Sequence, residues 1–290
     1  MTRALVLGGG GPVGVGWESG LLVGLADAGV ALGEAELVSG TSAGSIVGAA
    51  LRLGWNLEDS IRLVERPPAG PIPATGMELM FDELTAAAAG NAAPAELMAA
   101  LGRVATDAPT MDEEQYLETF SALHGQAWPA GYQCTAVDVD SGALAVWDAG
   151  AGVALERAVA SSCAVPGVFP PVTAAGRRWM DGGMKTALNA DLAAGCDVAV
   201  AVSCFSLELP PGLSDPVADM LAASVAAELD AVRSSGTHLA TIEPSAEFLE
   251  LSGWGLELMN FSLARRAFDA GRRQAAGEVD RLAPLWAGEG

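Results

Sequence analysis

The chain has 290 residues, of which 51% are apolar and 18% charged, a composition typical of a globular protein long enough for one large α/β domain. Its 36 acidic residues outnumber 15 basic residues and give a net charge of −21. Because this charge repels phosphate groups, we expect no nucleic-acid partner and at most transient membrane contact.

The cysteines bear on metal binding, and the first residues bear on the location of the protein. The four cysteines form no C-x-x-C pair and have no zinc-like spacing with the two histidines, so we expect reduced thiols and no metal site. Residues 1–7 run into a glycine stretch without a signal-peptide core, and no apolar run reaches the roughly 18 residues of a membrane span. We therefore expect a cytoplasmic protein.

The first part of the chain repeats a pattern of buried strand, glycine turn and helix. The four expected elements are a strand at 4–7, a helix at 15–28, a strand at 36–39 and a helix at 43–53. Two such units in succession predict a parallel sheet with helices on its faces.

The segment 67–94 differs from both of its neighbours. It begins with prolines, which break regular elements. Apolar residues at helical spacing follow, namely Met77, Met80, Phe81 and Leu84. A packed helix is favoured, and a mobile cap whose methionines meet an acyl chain is the alternative. With acidic helices near 95–106 and 111–123, this segment predicts a helical cap insertion at about 67–125 in a single domain, 1–290.

Alternating sheet and helix patterns return after the expected insertion. A turn sequence at 138–142 separates two strands that we expect to pair. The expected elements are strands at 132–137 and 143–147, a helix at 155–162, a strand ending at Asp181, strands at 198–203 and 239–242, and a closing helix at 261–286.

The strongest catalytic signal is the G-x-S-x-G pattern of Gly40, Ser42 and Gly44, which follows a strand and opens a helix. A serine on this sharp turn is a nucleophile, and glycines flank it because larger side chains would clash with the strand and helix. The helix N-terminus favours developing negative charge. A serine that only caps the helix is the competing interpretation.

The glycine run at 8–14 is the second signal. Successive glycine amides can turn inward and form an anion-binding nest, which stabilises the oxyanion of acyl transfer. Gly9, Gly11 and Gly14 also spell the dinucleotide pattern G-x-G-x-x-G, which requires an acidic residue at the end of the next strand. That strand delivers the serine turn instead, which disfavours a dinucleotide site.

The third signal is Asp181 followed by Gly182 and Gly183. An aspartate at a strand end before two glycines can approach another loop closely. A poorly hydrated carboxylate has a raised pKa and can accept a proton from a serine hydroxyl. Taken alone the tripeptide indicates only a turn, so its weight comes from Ser42 and the glycine run.

Together these segments resemble the patatin-like phospholipase family. The order and approximate spacing of 8–14, 40–44 and 181–183 agree with that family, as does the segment 160–172, and the resemblance covers roughly residues 4–205. It implies a three-layer α/β/α fold with a mainly parallel central sheet and helices on both faces.

The resemblance also implies a Ser–Asp dyad that needs no histidine, metal or cofactor. Ser42 would attack an ester carbonyl of a lipid-type substrate, and Asp181 would act as base and then as acid, through an acyl-enzyme. The amides of Gly9, Gly10 and Gly11 would form the oxyanion hole. The supporting turns would be those at Gly40, Gly44, Gly182 and Gly183.

One position departs from the family pattern, because many relatives carry a basic residue where this chain has Val13. The departure leaves phospholipids, lysophospholipids, neutral esters and soluble thioesters open as substrates. An acyltransferase or thioesterase acting on carrier-bound acyl groups would use the same dyad. A non-catalytic lipid-binding module is the alternative outside enzymes.

Several further residues are expected to be structural. The order Ser42, Asp181, His238 matches an α/β-hydrolase triad, but that fold places several strands ahead of its nucleophile and this chain only one. His238 is therefore interpreted as structural. The same holds for the prolines within 161–171, for Asn189 at a helix start, and for the apolar segment 254–261, which we expect in the core.

Overall fold

The central element is one mixed sheet of eight strands within the described residues, which are 1–64, 68, 74–90, 92–207 and 215–288 of a computed structural model. The strands are β1 (Arg3–Leu7), β2 (Leu37–Gly40), β3 (Tyr132–Asp138), β4 (Leu144–Trp147), β5 (Val172–Ala174), β6 (Arg177–Asp181), β7 (Val198–Val202) and β8 (His238–Ile242). Their order is β5-β6-β3-β2-β1-β7-β8, with β4 also on β3. From β3 to β8 the pairs are parallel, whereas β4 and β6 run antiparallel to β3.

Helices connect most of these strands. In the described residues they are α1 (Gly11–Asp27), α2 (Ala43–Arg52), α3 (Leu57–Ser60), α4 (Ala74–Ala88), α5 (Pro94–Asp107), α6 (Glu113–Glu118), α7 (Leu155–Ser162), α8 (Pro216–Ser234), α9 (Ala246–Leu251) and α10 (Ala264–Ala287). None of them, over the described part of the chain, has both the length and the apolar character that a membrane crossing requires.

The side chains of β1 show how the layers are arranged. Successive residues of a strand point to opposite faces. Leu5 and Leu7 pack with residues of α1, α2 and α10, whereas Ala4 and Val6 pack with residues of α8. On β3, Val137 packs with residues of α4 and α5. Helices therefore cover both faces, and the predicted α/β/α fold with its mainly parallel sheet is confirmed.

One edge of β3 brings two other strands together end to end. Cys134 pairs with Gly40 of β2 and with β4, and Ala136 pairs with Asp181 of β6 and with β4. Because a strand has two edges, β2 and β6 share the edge opposite β4. They run in opposite directions along it, so their last residues, Gly40 and Asp181, meet beside the middle of β3.

The main differences from the expected elements lie at helix boundaries. α1 begins at Gly11 rather than at position 15, because Pro12 fits the first turn of a helix. The helix expected at 111–123 is divided into α6 and a 3-10 turn, Ser121–Leu123. The closing helix begins at Ala264, after a separate 3-10 turn in which the Asn260 side chain accepts a hydrogen bond from the Ser262 amide.

Residues 67, 69–73 and 91 of the expected cap insertion lie outside the described residues, and the boundaries of the cap and of the single domain stay predictions. In α4, Met80 packs with Leu101 of α5 and Met180 of β6. Phe81 is exposed. These contacts favour the packed-helix interpretation of the methionines.

Glycines allow α1 and α10 to pack with their backbones in close approach. A Cβ atom at Gly20 of α1 would overlap the carbonyl oxygen of Phe268, and one at Gly271 of α10 would overlap that of Trp17. Any side chain at these positions must push the helices apart. Because α1 starts at the glycine run, this contact also fixes the position of that run.

We expect Gly20→Ala to lower the free energy of unfolding by about 1–3 kcal/mol, because the new methyl group overpacks the interface of α1 and α10. Gly277→Ala in α10 is the matched control, since a Cβ there meets nothing within 4 Å. The control should gain about 0.5–1 kcal/mol from helix propensity. Urea unfolding measures both variants, and equal stability of the two would contradict the close helix contact.

Candidate active site

Ser42 lies on a strained turn between β2 and α2. Its φ is +51°, outside the regions that non-glycine residues prefer. The turn is held by hydrogen bonds from the Thr41 amide to Leu7 O at 3.0 Å and from the Gly44 amide to Gly8 O at 2.9 Å. These bonds join the serine turn directly to the end of β1 and to the glycine run.

The two glycines around Ser42 are required by close backbone contacts. A Cβ at Gly40 would overlap the carbonyl oxygen of Gly44, and a Cβ at Gly44 would overlap that of Leu7. The turn at these residues thus has the geometry that the G-x-S-x-G pattern predicts.

Ser162 and Cys163 also hold the backbone of Ser42. The Ser42 amide donates to Ser162 Oγ at 2.9 Å, and the Cys163 thiol donates to Ser42 O at 3.2 Å. The sequence interpretation gave this segment no role beyond its prolines and missed both contacts. Nothing in the residue types alone distinguishes them from ordinary small residues at a helix end.

Asp181 ends β6 and is buried, with 2% of its surface exposed. Its Oδ1 accepts a hydrogen bond from the Gly183 amide at 2.7 Å. Its Oδ2 is buried, and no well-aligned hydrogen bond from the described residues reaches it. Burial raises the pKa of Asp181 to about 7, although interactions with the Ser42 side chain and the Gly183 amide lower it. A carboxyl group in this state can exchange a proton near neutral pH.

Gly182 makes the approach of the aspartate turn possible. A Cβ at this position would overlap Oγ1 of Thr135, the residue between the two pairing positions on β3. Thr135 Oγ1 in turn lies 2.9 Å from Thr41 Oγ1. The two turns are thus packed around one side chain of β3.

The glycine run agrees with the predicted oxyanion hole only in part. The Gly9 amide donates to Ala187 O at 2.7 Å, so the prediction that Gly9 supplies a free donor is wrong in this structure. Among the described residues, the amides of Gly10 and Gly11 have no hydrogen-bond partner. The Ala43 amide, at the start of α2, also has none and was not predicted.

A buried acid lies behind the glycine run. Glu18 of α1 is fully buried, and burial raises its pKa well above the usual range, against contributions from the Gly8 backbone and the Cys204 side chain that lower it. Burial thus favours the uncharged form of Glu18, which does not oppose an anion at the amides of Gly10 and Gly11.

Ser42 contributes to the wall of an apolar pocket. No charged residue lines it among the residues that the structure describes. Its lining comes from three parts of the fold. These are α1 and α2, with Val15 and Ile46, the region around α6, with Phe120, and the segments before β5 and α10, with Phe169, Met259 and Phe261. Met259 and Phe261 pack against the core, where they were expected, but they are only partly buried and also border the pocket.

A second cavity lies beside the pocket. Both cavities are lined by Ile46, Val64, Thr119 and Phe120, and the second reaches Trp55 and Leu123. The shared residue Ile46 lies one helical turn after Ser42 on α2. The apolar lining of the two cavities suits an acyl chain.

Asn189 connects the serine turn to the aspartate turn. Its Nδ2 donates to Thr41 Oγ1 at 3.0 Å and to Gly182 O at 3.3 Å, next to Ser42 and Asp181 respectively. Because carbonyl oxygens only accept, this contact fixes which end of the amide faces the turns. Asn189 precedes a 3-10 turn as expected for a helix start, but its side chain does not cap that turn.

His238 lies far from this site. It is the first residue of β8 and pairs with Val198, the first residue of β7. Ser42 and the glycine run follow the carboxyl ends of the neighbouring parallel strands, so the length of a strand separates them from His238. A triad containing His238 is incompatible with this geometry.

Comparison with known proteins shows the family to which the chain belongs. The family model described as patatin-like phospholipase matches residues 5–194, which include both Ser42 and Asp181. The chain belongs to the patatin-like phospholipase family, as its motifs predict.

Two solved structures resemble the chain at low identity. VipD from Legionella pneumophila has 12% identity and a TM-score of 0.43, over 95% of this chain and 67% of VipD. The type III effector protein ExoU has 18% identity and a TM-score of 0.38, over 94% of this chain and 53% of ExoU. The chain thus spans about half the length of ExoU. No curated protein matches it.

We expect Asn189→Asp to lower kcat/KM for an ester by at least about tenfold and the free energy of unfolding by about 1–3 kcal/mol at pH 8. Aspartate keeps the shape and tolerates the residue's φ of +53°, but it turns an oxygen toward Gly182 O. Ester hydrolysis and urea unfolding test the two effects. Thr241→Val is the control, because the buried Thr241 Oγ1 has no hydrogen-bond partner among the described residues and should be dispensable. An unchanged Asn189→Asp enzyme would contradict the positioning role.

Proposed function

We propose that the protein is a serine acyl hydrolase of lipid-type carboxylic esters that uses Ser42 and Asp181 as a dyad. The observation that carries the proposal is the buried Asp181, whose pKa of about 7 suits a general base, beside a serine on a nucleophile turn. The apolar pocket at Ser42 supports an acyl chain as the group that is bound.

In the first half of the reaction, Ser42 Oγ attacks the ester carbonyl carbon while its proton passes to Asp181. The carbonyl oxygen becomes an oxyanion, and the amides of Gly10, Gly11 and Ala43 are the unpartnered donors available to it. The bond to the leaving oxygen then breaks. Asp181 returns the proton to the departing alcohol, and the acyl group stays on Ser42 as an ester.

In the second half, water replaces the alcohol. Asp181 takes a proton from the water as its oxygen attacks the acyl carbonyl, and the same amides stabilise the second oxyanion. Breakage of the bond to Ser42 Oγ releases the carboxylic acid, and Asp181 returns the proton to the serine. An acyltransferase or thioesterase would use these steps with another acceptor or leaving group, so product analysis with and without added alcohol distinguishes them.

The described pocket gives no reason to prefer an anionic head group. Val13, the position at which many relatives carry a base, is fully buried in α1. No lysine or arginine lies in the described lining. The pocket is therefore proposed to recognise the acyl chain and the ester group. Phospholipids, lysophospholipids and neutral esters all carry both.

The dyad predicts a pH profile with a single acidic limb. Because the base must be ionised, kcat/KM for an uncharged ester should fall about tenfold per pH unit below about 7, the pKa of Asp181. A stopped assay measures kcat/KM from pH 5 to pH 9, roughly two units on either side of that pKa. A profile that is flat through pH 7 would rule out Asp181 as the base.

The same pKa predicts a stability effect. Burial raises the folded-state pKa above that of the unfolded chain, so Asp181 stabilises the fold only at low pH and loses this contribution as pH rises through about 7. Asp181→Asn should therefore raise Tm relative to the native chain at pH 8. The difference should shrink as the pH falls toward about 4, the unfolded pKa.

Intact-mass analysis after fluorophosphonate treatment tests the nucleophile. The native chain should gain one adduct, whereas Ser42→Ala and Asp181→Asn should gain none. His238→Ala is the control and should label like the native chain, because His238 lies at the opposite end of the strands. Loss of labelling in folded His238→Ala, or labelling of Ser42→Ala, would refute the dyad. An unlabelled native chain would favour a non-catalytic lipid-binding module.

A further inference from the structure

The segment 252–261, which we name the rim loop, presents two apolar side chains to solvent. Leu256 is 84% exposed and Trp254 is 37% exposed. Three successive residues have left-handed backbone conformations, with φ of +57° at Gly253, +58° at Trp254 and +103° at Gly255. This conformation is costly for tryptophan, and the residue is still partly exposed to water.

The rim loop is nevertheless held in place. The Glu257 amide donates to Ser252 O at 2.9 Å, and the Asn260 side chain accepts from the Ser262 amide at 3.2 Å. The chain on either side of the tip is therefore fixed. The outward position of Trp254 and Leu256 is a property of an ordered loop.

The base of the rim loop forms part of the candidate active site. Met259 and Phe261 line the same pocket as Ser42. Leu258 O accepts from the Val13 amide at 3.3 Å, and a Cβ at Gly11 would come within 2.5 Å of that oxygen. One short loop thus connects exposed apolar side chains, the pocket wall and the glycine run.

We propose that Trp254 and Leu256 insert into a lipid–water interface of zwitterionic or neutral lipids and hold the pocket mouth against it. This inference rests on the proposed hydrolysis of lipid esters. A tryptophan beside an aliphatic residue suits the interfacial region, where an apolar body and a polar N–H are both satisfied. An acyl chain leaving the interface would then pass Met259 and Phe261 to reach Ser42.

The charges around the loop argue for uncharged interfaces. Glu257, adjacent to Leu256, is exposed, and the protein as a whole has a net charge of −21. Both repel an anionic membrane surface. The attachment rests on two side chains, so it is weak and reversible.

The test compares lipid binding with hydrolysis of a soluble ester, using the full chain. The rim variant combines Trp254→Asn, in which asparagine keeps the left-handed backbone, with Leu256→Ser. The matched control combines Leu79→Ser and Phe81→Ser in α4, since these apolar residues are 47% and 44% exposed and do not line the pocket. Phosphatidylcholine vesicles are the lipid probe, and p-nitrophenyl butyrate is the monomeric ester.

We expect the rim variant to lose about tenfold in vesicle binding by co-sedimentation, and about tenfold in kcat/KM for an ester presented in those vesicles. Its kcat/KM for p-nitrophenyl butyrate and its fluorophosphonate labelling should stay within about twofold of the native values. The α4 variant should behave like the native chain in every assay.

Three results would overturn the proposal. The rim variant could sediment with vesicles as the native chain does, the α4 variant could lose as much binding as the rim variant, or the native chain could bind only vesicles containing anionic lipid. In each case hydrolysis of the soluble ester still reports on the dyad, so failure of the interface and failure of the proposed function are distinguishable.

Discussion

The meeting of β2 and β6 on one edge of β3 is the constraint on which the site depends. The two strands run toward each other, so the turns that follow Gly40 and Asp181 occupy the same small volume beside Thr135. A strand parallel to β3 in the position of β6 would begin near Gly40 and would carry its last residue away from Ser42. The antiparallel β6 is therefore the feature that brings an acid from late in the chain to Ser42.

Burial supplies much of the chemistry that this placement makes possible. An exposed aspartate would be fully ionised and a weak base at neutral pH, whereas desolvation raises the pKa of Asp181 to about 7. The same effect raises the pKa of Glu18 behind the glycine run. Desolvation thus favours the protonated form of an acid on each side of the serine turn.

The sequence predicted the turns whose backbone conformation requires a particular residue type. Glycines at 40 and 44 specify the serine turn, and Asp181 before two glycines specifies its partner. It could not predict that Ala187 O occupies the Gly9 amide, because that bond depends on where a distant loop lies. The role of Asn189 was missed for the same reason: an asparagine before a helix is common, and its long-range contacts leave no local pattern.

The arrangement of α1 explains how a lipid interface could act on a rigid site. α1 packs tightly on α10, which holds the unpartnered amides of Gly10 and Gly11 in a fixed position, as preorganised stabilisation of an oxyanion requires. The rim loop touches this body through Leu258 O and the Val13 amide. The proposed contact at the tip would therefore orient the pocket mouth without rearranging the sheet. The proposed interface contact and the proposed dyad lie on separate surfaces, so substitutions at the apolar tip leave Ser42 and Asp181 in place.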